Sequence, residues 1–398
     1  MNVFKKMYCR SFQSVMKIAM PLIPYRCPKI VKSVCMVPAE LNSRGIDSIL
    51  IVTDKAVHDL GLLDRLKRVL EANGVAYVIY DGTTANPTVT DVESARKMYL
   101  ANRCRGVIGF GGGSAMDCAK AVGARIARPH KSIGRMRGIL QVMRPLPFLA
   151  AVPTTAGTGS ETTVTTVITD ESTGHKFPIS DPALIPHMAI HDPMVTKSLP
   201  MAVTATTGMD TLTHAIEAYI GRSTLKQTRQ DSLKAARLVA ENLEKACRDG
   251  SDMEARANML KAAYHGGRAF SKAYMGYCHA VAHSLGGKYH IPHGLANAVI
   301  LPHVLEAFGH TIDKQAKELC IAMHIADEHT PERGCYRVLT EYVRDMNKKL
   351  GIPERLQGIR VEDIPELARY ADKEANPLYP VPVLMDAKEL ERFYRVIM

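Results

Sequence analysis

Gly106-Val107-Ile108-Gly109-Phe110-Gly111-Gly112-Gly113-Ser114-Ala115-Met116-Asp117-Cys118-Ala119-Lys120 decides the fold. Residues 106–110 form a short apolar run that predicts a strand. Three glycines follow, and then a helical stretch begins. Glycine lets the backbone approach a phosphate closely. A helix start offers unpaired N–H groups with positive partial charge. The same string also suits a tight strand-to-helix turn with no ligand.

The pattern extends outward on both sides. Residues 48–53, 76–80 and 147–152 are further short apolar runs, and helical stretches at 63–72 and 92–101 separate the first three strands. This alternation predicts a parallel sheet with covering helices. Residues 163–169 and 189–192 read as additional strands. Beyond Pro200 the character changes. The chain reads as successive helices at 202–220, 226–248, 252–273, 277–288, 294–308, 311–326 and 331–349. Asp386 and Glu389 have capping-box spacing before a last helix. The length of 398 residues suits two such cores.

Composition narrows the class. Apolar residues make up 46% and charged residues 23%, as in an ordinary globular protein. The formal charge of +11 is unevenly placed. Residues 1–39 hold seven basic residues and no acid, and residues 118–160 hold seven more, again with no acid. The remainder is close to neutral. Aromatics are only 6%, which argues against a nucleic-acid surface. Nine cysteines, an odd number without a C-x-x-C pair, suit free thiols in a reducing compartment. The apolar run 18–25 is far short of the ~20 residues of a membrane span. In residues 1–19, Phe4, Met7, Tyr8, Ser11, Phe12, Val15, Ile18 and Ala19 share one helical face, opposite Lys6, Arg10 and Lys17. Three readings stand for this basic amphipathic helix: docking on its own or a neighbouring subunit, peripheral docking on a membrane surface, or a transit peptide.

Four further strings carry chemistry. Pro153-Thr154-Thr155-Ala156-Gly157-Thr158-Gly159-Ser160-Glu161 is a hydroxyl-rich loop directly after a strand. Two such loops at strand ends of one sheet favour a dinucleotide, because ligands sit at those ends. Asp54 follows the strand 48–53. There it suits hydrogen bonds from a ribose 2′-hydroxyl and repulsion of a 2′-phosphate, hence NAD rather than NADP, or else it is a turn residue. In Gly208-Met209-Asp210-Thr211-Leu212-Thr213-His214-Ala215-Ile216-Glu217, Asp210 and His214 are four apart and face the same way on a helix. In 278–294, His279 and His283 share a helix face and His293 follows a turn. One carboxylate with several imidazoles suits a divalent transition metal. Cys278 points about 100° away from His279 and is not expected to be a ligand.

Together, GGGSAMDCAKA, PTTAGTGSE, GMDTLTHAIEAY and HAVAHSLGGKYHIPHGLANA resemble the iron-containing (group III) alcohol dehydrogenases, in order and spacing, from about residue 40 to the C-terminus. The resemblance implies an α/β, Rossmann-like dinucleotide-binding domain at 31–200, an all-α metal-binding domain at 201–398, and an N-terminal extension at 1–30. It implies Asp210, His214, His279 and His293 as ligands of ferrous iron (Fe2+) or zinc (Zn2+). His283 corresponds to a proton-relay histidine. Asp54, Asn86, Gly112, Gly113, Ser114, Thr154, Thr155, Thr158 and Lys176 correspond to NAD contacts, and Thr165 and Phe270 to the substrate pocket. Residues 32–38 depart from the glycine-containing strand and turn of many members. The activity implied is hydride transfer between NAD(H) and a small primary alcohol, diol or aldehyde. The alternatives are a glycerol-dehydrogenase-like or sugar-phosphate cyclase-like enzyme, or a non-catalytic docking protein. A cytoplasmic homo-oligomer is expected, or a mitochondrial matrix protein if residues 1–30 are a transit peptide.

Overall fold

The computed structural model describes residues 1–19, 24–172 and 174–398, so part of the run 18–25 lies outside the described residues. Contacts divide the chain into two compact units, Pro24–Leu199 and Met1–Ile23 with Pro200–Met398. The first helix, α1 (Val3–Ala19), therefore groups with the C-terminal half and does not stand apart as an extension.

The α/β unit contains β1 (Lys29–Val31), α2 (Val37–Ser43), β2 (Ser48–Val52), α3 (Lys55–Asp59), α4 (Asp64–Ala72), β3 (Ala76–Tyr80), α5 (Val89–Ala101), β4 (Gly106–Gly111), α6 (Gly113–Ala127), β5 (Gly138–Ile139), β6 (Phe148–Pro153), β7 (Thr165–Asp170), β8 (His175–Ser180) and β9 (Met188–Ile190). Six strands form one sheet in the order β1-β9-β6-β4-β2-β3, with every pairing parallel. Alternate residues of each strand serve opposite faces. Leu50, Val52, Val107 and Leu149 pack with Val92 and Val122 on one side. Ile49, Ile51, Ile108 and Phe110 pack with Leu41, Leu66 and Leu70 on the other. Burial of both faces explains why these strands read as continuous apolar runs rather than alternating ones.

Two strand expectations change. Strand β7 belongs to a separate three-stranded sheet, β5-β8-β7, rather than to the main one. Strands β1 and β8 carry weak sequence signals: β1 has three residues, and β8 contains Pro178, a residue confined to edges and bulges. Residues 32–38 pass from β1 through a short 3-10 turn, Val34–Met36, into α2.

The helical unit adds α7 (Met201–Ile220), α8 (Lys226–Arg248), α9 (Met253–Ala273), α10 (Tyr277–Tyr289), α11 (His293–Phe308), α12 (Asp313–Ala322), α13 (Cys335–Lys349), α14 (Ile364–Ala375) and α15 (Ala387–Val396). Helix α7 is its axis: every residue from Gly208 to Ile220 is buried. Helix α12 stops four residues before the expected end, where His324 turns left-handed at φ 59°. Helix α14 was not anticipated; its buried face is Ile364, Leu367, Ala368, Ala371 and Ala375. The capping box of Asp386 and Glu389 is present at α15.

Helix α1 is held to the helical unit by its polar side. Its apolar face points outward, with Phe4 84% and Ile18 75% exposed, and Val3, Met7, Tyr8 and Val15 also exposed. Its inner side holds Cys9 and Gln13 and is anchored by polar groups. The Lys5 ammonium meets the Asp372 carboxylate at 2.7 Å. The Arg10 guanidinium donates to the carbonyls of Val381 and Pro382 at 2.7 and 2.8 Å. The surface it meets is irregular chain after α14, whose carbonyls lack helical or sheet partners. Donors suit that surface better than apolar side chains do. No helix among the described residues is long and apolar enough to cross a membrane, and all nine cysteines are free.

Thr88 caps α5 in a capping box with Asp91, and Asp91 Oδ2 also accepts from the Thr84 hydroxyl at 2.9 Å and Thr88 N at 2.9 Å. These bonds frame the loop that carries Asn86. Thr88→Ala should lower stability by about 1 kcal/mol, read from the denaturant midpoint at unchanged slope. An unchanged midpoint would show that the cap contributes nothing.

Candidate metal centre and cofactor loops

The cofactor loops follow from strand pairing. Strands β4 and β6 run in register from Gly106 opposite Phe148 to Gly111 opposite Pro153. Their following loops therefore leave the sheet side by side, and Thr154 N donates to the Gly111 carbonyl at 3.0 Å. At Gly113 a Cβ would lie 2.9 Å from Thr158 Cγ2, so the close approach of the loops requires glycine there. The Ser114 hydroxyl donates to the Ala85 carbonyl at 2.6 Å, which brings in the loop of Asn86. That loop also meets β7, where Thr169 N donates to the Pro87 carbonyl at 2.8 Å. Thr169 stands opposite Lys176 on β8. Asp54 lies two residues beyond β2, the neighbour of β4. One of its oxygens caps α3, accepting from Val57 N at 2.9 Å. The other lies against the glycine loop, 3.3 Å from where a Gly111 Cβ would be. Gly112, Gly113, Ser114, Thr154, Thr155, Thr158, Asn86 and Asp54 are thus drawn together where strand order reverses between β2 and β4, the usual place for a ligand in such a sheet, while Lys176 stays on β8 of the smaller sheet.

Beneath the loops lies a network that sequence reading passed over. The Lys120 ammonium is buried and donates to Ser160 Oγ at 2.9 Å and Thr163 Oγ1 at 2.7 Å. Asp117 accepts from the Ser160 hydroxyl at 2.8 Å and from Val167 N at 2.9 Å. Burial pushes Lys120 down to about 8, against the pull of Asp117. Both residues lie within the quoted glycine motif, one turn apart on α6. Their spacing was the available signal.

In the helical unit, Asp210, His214, His279 and His293 bring one donor atom each within 4.8 Å of one another. Asp210 and His214 are successive turns of α7. His279 lies in the first turn of α10. His290, left-handed at φ 56°, ends α10, and His293 then opens α11. Asp210 Oδ1 lies 3.8 Å from His279 Nε2 and 3.5 Å from His293 Nε2. Donors around one ion at about 2.1 Å stand roughly 3.4 Å apart, so the set is already gathered for a tetrahedral-type site. His279 Nε2 is buried and has no hydrogen-bond partner among the described residues. Burial, then the neighbouring imidazoles, hold His279 well below the ordinary histidine range. A neutral ring with an unshared lone pair in that place is what a metal needs.

Phe270 stacks on His214 at 4.3 Å and forms an apolar wall beside the group. His283 stacks on His293 at 5.0 Å and donates or accepts through Nδ1 with Glu374 Oε1 at 2.7 Å. Cys278 is not in the group. Its thiol faces Asn297, and burial pushes it well above the ordinary range. Thr165 sits on β7, its hydroxyl bonded to Ser180 Oγ at 2.9 Å.

Two supporting residues were missed. Glu217, one further turn along α7, is fully buried and accepts from His279 Nδ1 at 2.6 Å, Gly276 N at 3.0 Å and Cys278 N at 2.8 Å. A Cβ at Gly276 would meet Glu217 Oε1 at 2.4 Å, so only glycine admits this contact. Desolvation raises Glu217 to about 7, opposed by those backbone donors. Asn297, one turn after His293, donates to Asp210 Oδ1 at 2.7 Å. Both signals were periodic: 210, 214, 217 and 293, 297.

Residues 31–193 match the iron-containing alcohol dehydrogenase family, and residues 204–398 match the C-terminal domain of the Fe-containing alcohol dehydrogenases. The chain belongs to the iron-containing alcohol dehydrogenase family. Alcohol dehydrogenase 4 of Schizosaccharomyces pombe is 36% identical over 377 residues, covering 92% of this chain and 88% of the relative. A crystal structure of a 1,3-propanediol oxidoreductase is 32% identical with a TM-score of 0.90, covering 94% of this chain and 100% of that one. Sulfoacetaldehyde reductase from Bifidobacterium kashiwanohense, solved in complex with NAD+, is 27% identical with a TM-score of 0.82, covering 94% and 98%. This iron-containing alcohol dehydrogenase is a metal-dependent oxidoreductase of small alcohols and aldehydes.

Glu217 fixes the tautomer and orientation of His279, as carboxylates behind metal-binding histidines do. Glu217→Gln should weaken metal affinity by about 10- to 100-fold, read by competition with a chelator. Unchanged affinity would reduce Glu217 to a packing role.

Proposed function

We propose that this dehydrogenase holds ferrous iron or zinc on Asp210, His214, His279 and His293, holds NAD on the loops at 54, 86, 112–114 and 154–158 with Lys176, and interconverts small primary alcohols or diols with their aldehydes. The observation that carries this reading is the gathered donor set, buried at Asp210, His214 and His279 and half-buried at His293, beside His283 and Phe270. A bound divalent metal supplies a Lewis acid that favours the deprotonated alcohol or polarises the aldehyde.

The chain's own residues do the rest. Asp54 accepts from the ribose 2′-hydroxyl through the oxygen that α3 does not use. Gly112, Gly113 and Ser114 offer the start of α6 to the pyrophosphate. Thr154, Thr155 and Thr158 supply hydroxyls. Phe270 excludes water from the substrate carbon, and Thr165 on β7 is the α/β unit's candidate substrate contact. His283 takes the hydroxyl proton released when the alcohol carbon gives its hydride to NAD, or returns it in aldehyde reduction. One carboxylate and three imidazoles do not by themselves favour iron over zinc; the family favours iron. A phosphate-handling cyclase would call for cations around the donor set, whereas the neighbours found there are Phe270, His283, Glu217 and Asn297.

Two experiments test this proposal. Anaerobic protein loaded with ferrous iron or zinc should turn over short primary alcohols, diols or aldehydes with NAD, and Asp210→Ala should lose both metal and turnover. Retained metal in that variant would refute the ligand set. Asp54→Ser keeps a good helix cap but removes the charge. It should raise NADP use relative to NAD at unchanged melting temperature. Unaltered cofactor preference would remove Asp54 from the ribose site.

A further inference from the structure

We infer that helix α1 is a working part of the active-site wall: through Gln13, Tyr379 and Glu374 it holds His283 in place. This inference rests on the reading of His283 given above, and it names positioning residues for that histidine.

The chain of contacts is continuous and lies wholly within the helical unit. His283 Nδ1 meets Glu374 Oε1 at 2.7 Å. The same carboxylate oxygen accepts from the Tyr379 hydroxyl at 2.7 Å. Glu374 is the second-last residue of α14, and Tyr379 lies in the irregular stretch just beyond it. Within that stretch Tyr379 N donates to the Ala375 carbonyl at 2.6 Å and Val381 N to the Tyr379 carbonyl at 2.9 Å, and the remaining carbonyl lone pairs take donors from outside. Gln13 supplies them. Its buried amide nitrogen donates to the Tyr379 carbonyl at 2.7 Å and to the Pro377 carbonyl at 3.1 Å. Arg10 aligns Gln13 by donating to its Oε1 at 2.9 Å, and grips Val381 and Pro382 with the same guanidinium. Lys5 closes the other side on Asp372, which also accepts from Asn376 at 2.7 Å.

Each link has a physical consequence. A neutral histidine that donates through Nδ1 keeps Nε2 as its acceptor. Glu374 therefore selects both the tautomer and the ring orientation of His283, beside His293. The Tyr379 hydroxyl fixes which oxygen Glu374 presents and the rotamer in which it does so. Glu374 itself is about one-third exposed and would otherwise sample several rotamers. The orientation of α1 fits this role: the side turned to the protein carries the polar anchors, and the apolar side is left outward. A mere address would have no need of buried Gln13.

The test uses full-length protein and four variants: Gln13→Leu, Glu374→Ala, Glu374→Gln and the double variant Gln13→Leu/Glu374→Ala. Gln13→Leu leaves the helix in place, so folding is preserved, and near-equal melting temperatures confirm it. Gln13→Leu should lower kcat about three- to tenfold, within the coupling expected of linked neighbours, with KM for NAD and bound metal unchanged. Glu374→Ala should lower kcat at least as far. Glu374→Gln, which keeps an acceptor oxygen, should restore part of it. In the double variant, Gln13→Leu should add nothing to Glu374→Ala.

A second readout needs no turnover. Long-range 1H–15N spectra of metal-free protein, with His283 assigned through His283→Gln, should show the Nδ1–H tautomer in the wild type and a mixture in Gln13→Leu and Glu374→Ala. Additive kinetic effects with an unchanged His283 tautomer would overturn the inference while leaving the metal assignment intact. Loss of metal in Asp210→Ala bears on that assignment alone, so the two failures are distinguishable.

Discussion

The helical unit depends on one buried carboxylate. Glu217 lies on the axial helix α7, and its two oxygens bind the first backbone N–H groups of α10 and the ring of His279. An uncompensated carboxylate at that depth would be costly, and the three donors offset the cost. The arrangement is mutually exclusive with any side chain at position 276, which accounts for the glycine there. Because Asp210, His214 and Glu217 occupy successive turns of one helix, fixing Glu217 against α10 also fixes where Asp210 and His214 face. The donor set is a consequence of that register. Asn297 repeats the device from α11, holding Asp210 beside His293.

The α/β unit follows a different constraint. Parallel pairing of β4 with both β2 and β6 places three strand ends next to each other. Asp54, the glycine loop and the threonine loop leave from those ends, so their convergence is set by topology before any side chain contributes. Lys120 and Asp117 then fasten the threonine loop to α6 from below. The cofactor candidates thus come from the α/β unit and the metal candidates from the helical unit, and each group is assembled by contacts internal to its own unit.

Much of this was legible in the sequence, for identifiable reasons. The central strands have both faces buried and read as plain apolar runs. The long helix α8 carries clear periodicity, and α9 is long enough to read as a helix. Histidines at helical spacing announced the donor set. The less legible parts share another cause. Strands β1 and β8 are short or interrupted by proline. Glu217 and Lys120 lie inside quoted motifs, but a buried ion is recognised by what surrounds it, and those partners come from distant segments. Helix α1 is the clearest case. Its hydrophobic pattern left subunit docking, membrane-surface docking and a transit role open, and its place here is set by Lys5, Arg10 and Gln13, donors to a stretch more than 350 residues away. Local periodicity holds no record of that stretch.

The central claim is that one carboxylate and three imidazoles hold the metal. X-ray absorption on the anaerobic, ferrous-loaded protein tests it most directly. The account predicts a first shell of light atoms at about 2.0–2.2 Å, with the outer-shell scattering of three imidazoles and no sulfur. A sulfur shell at about 2.3 Å, or scattering from one imidazole only, would contradict it and return Cys278 or other residues to consideration.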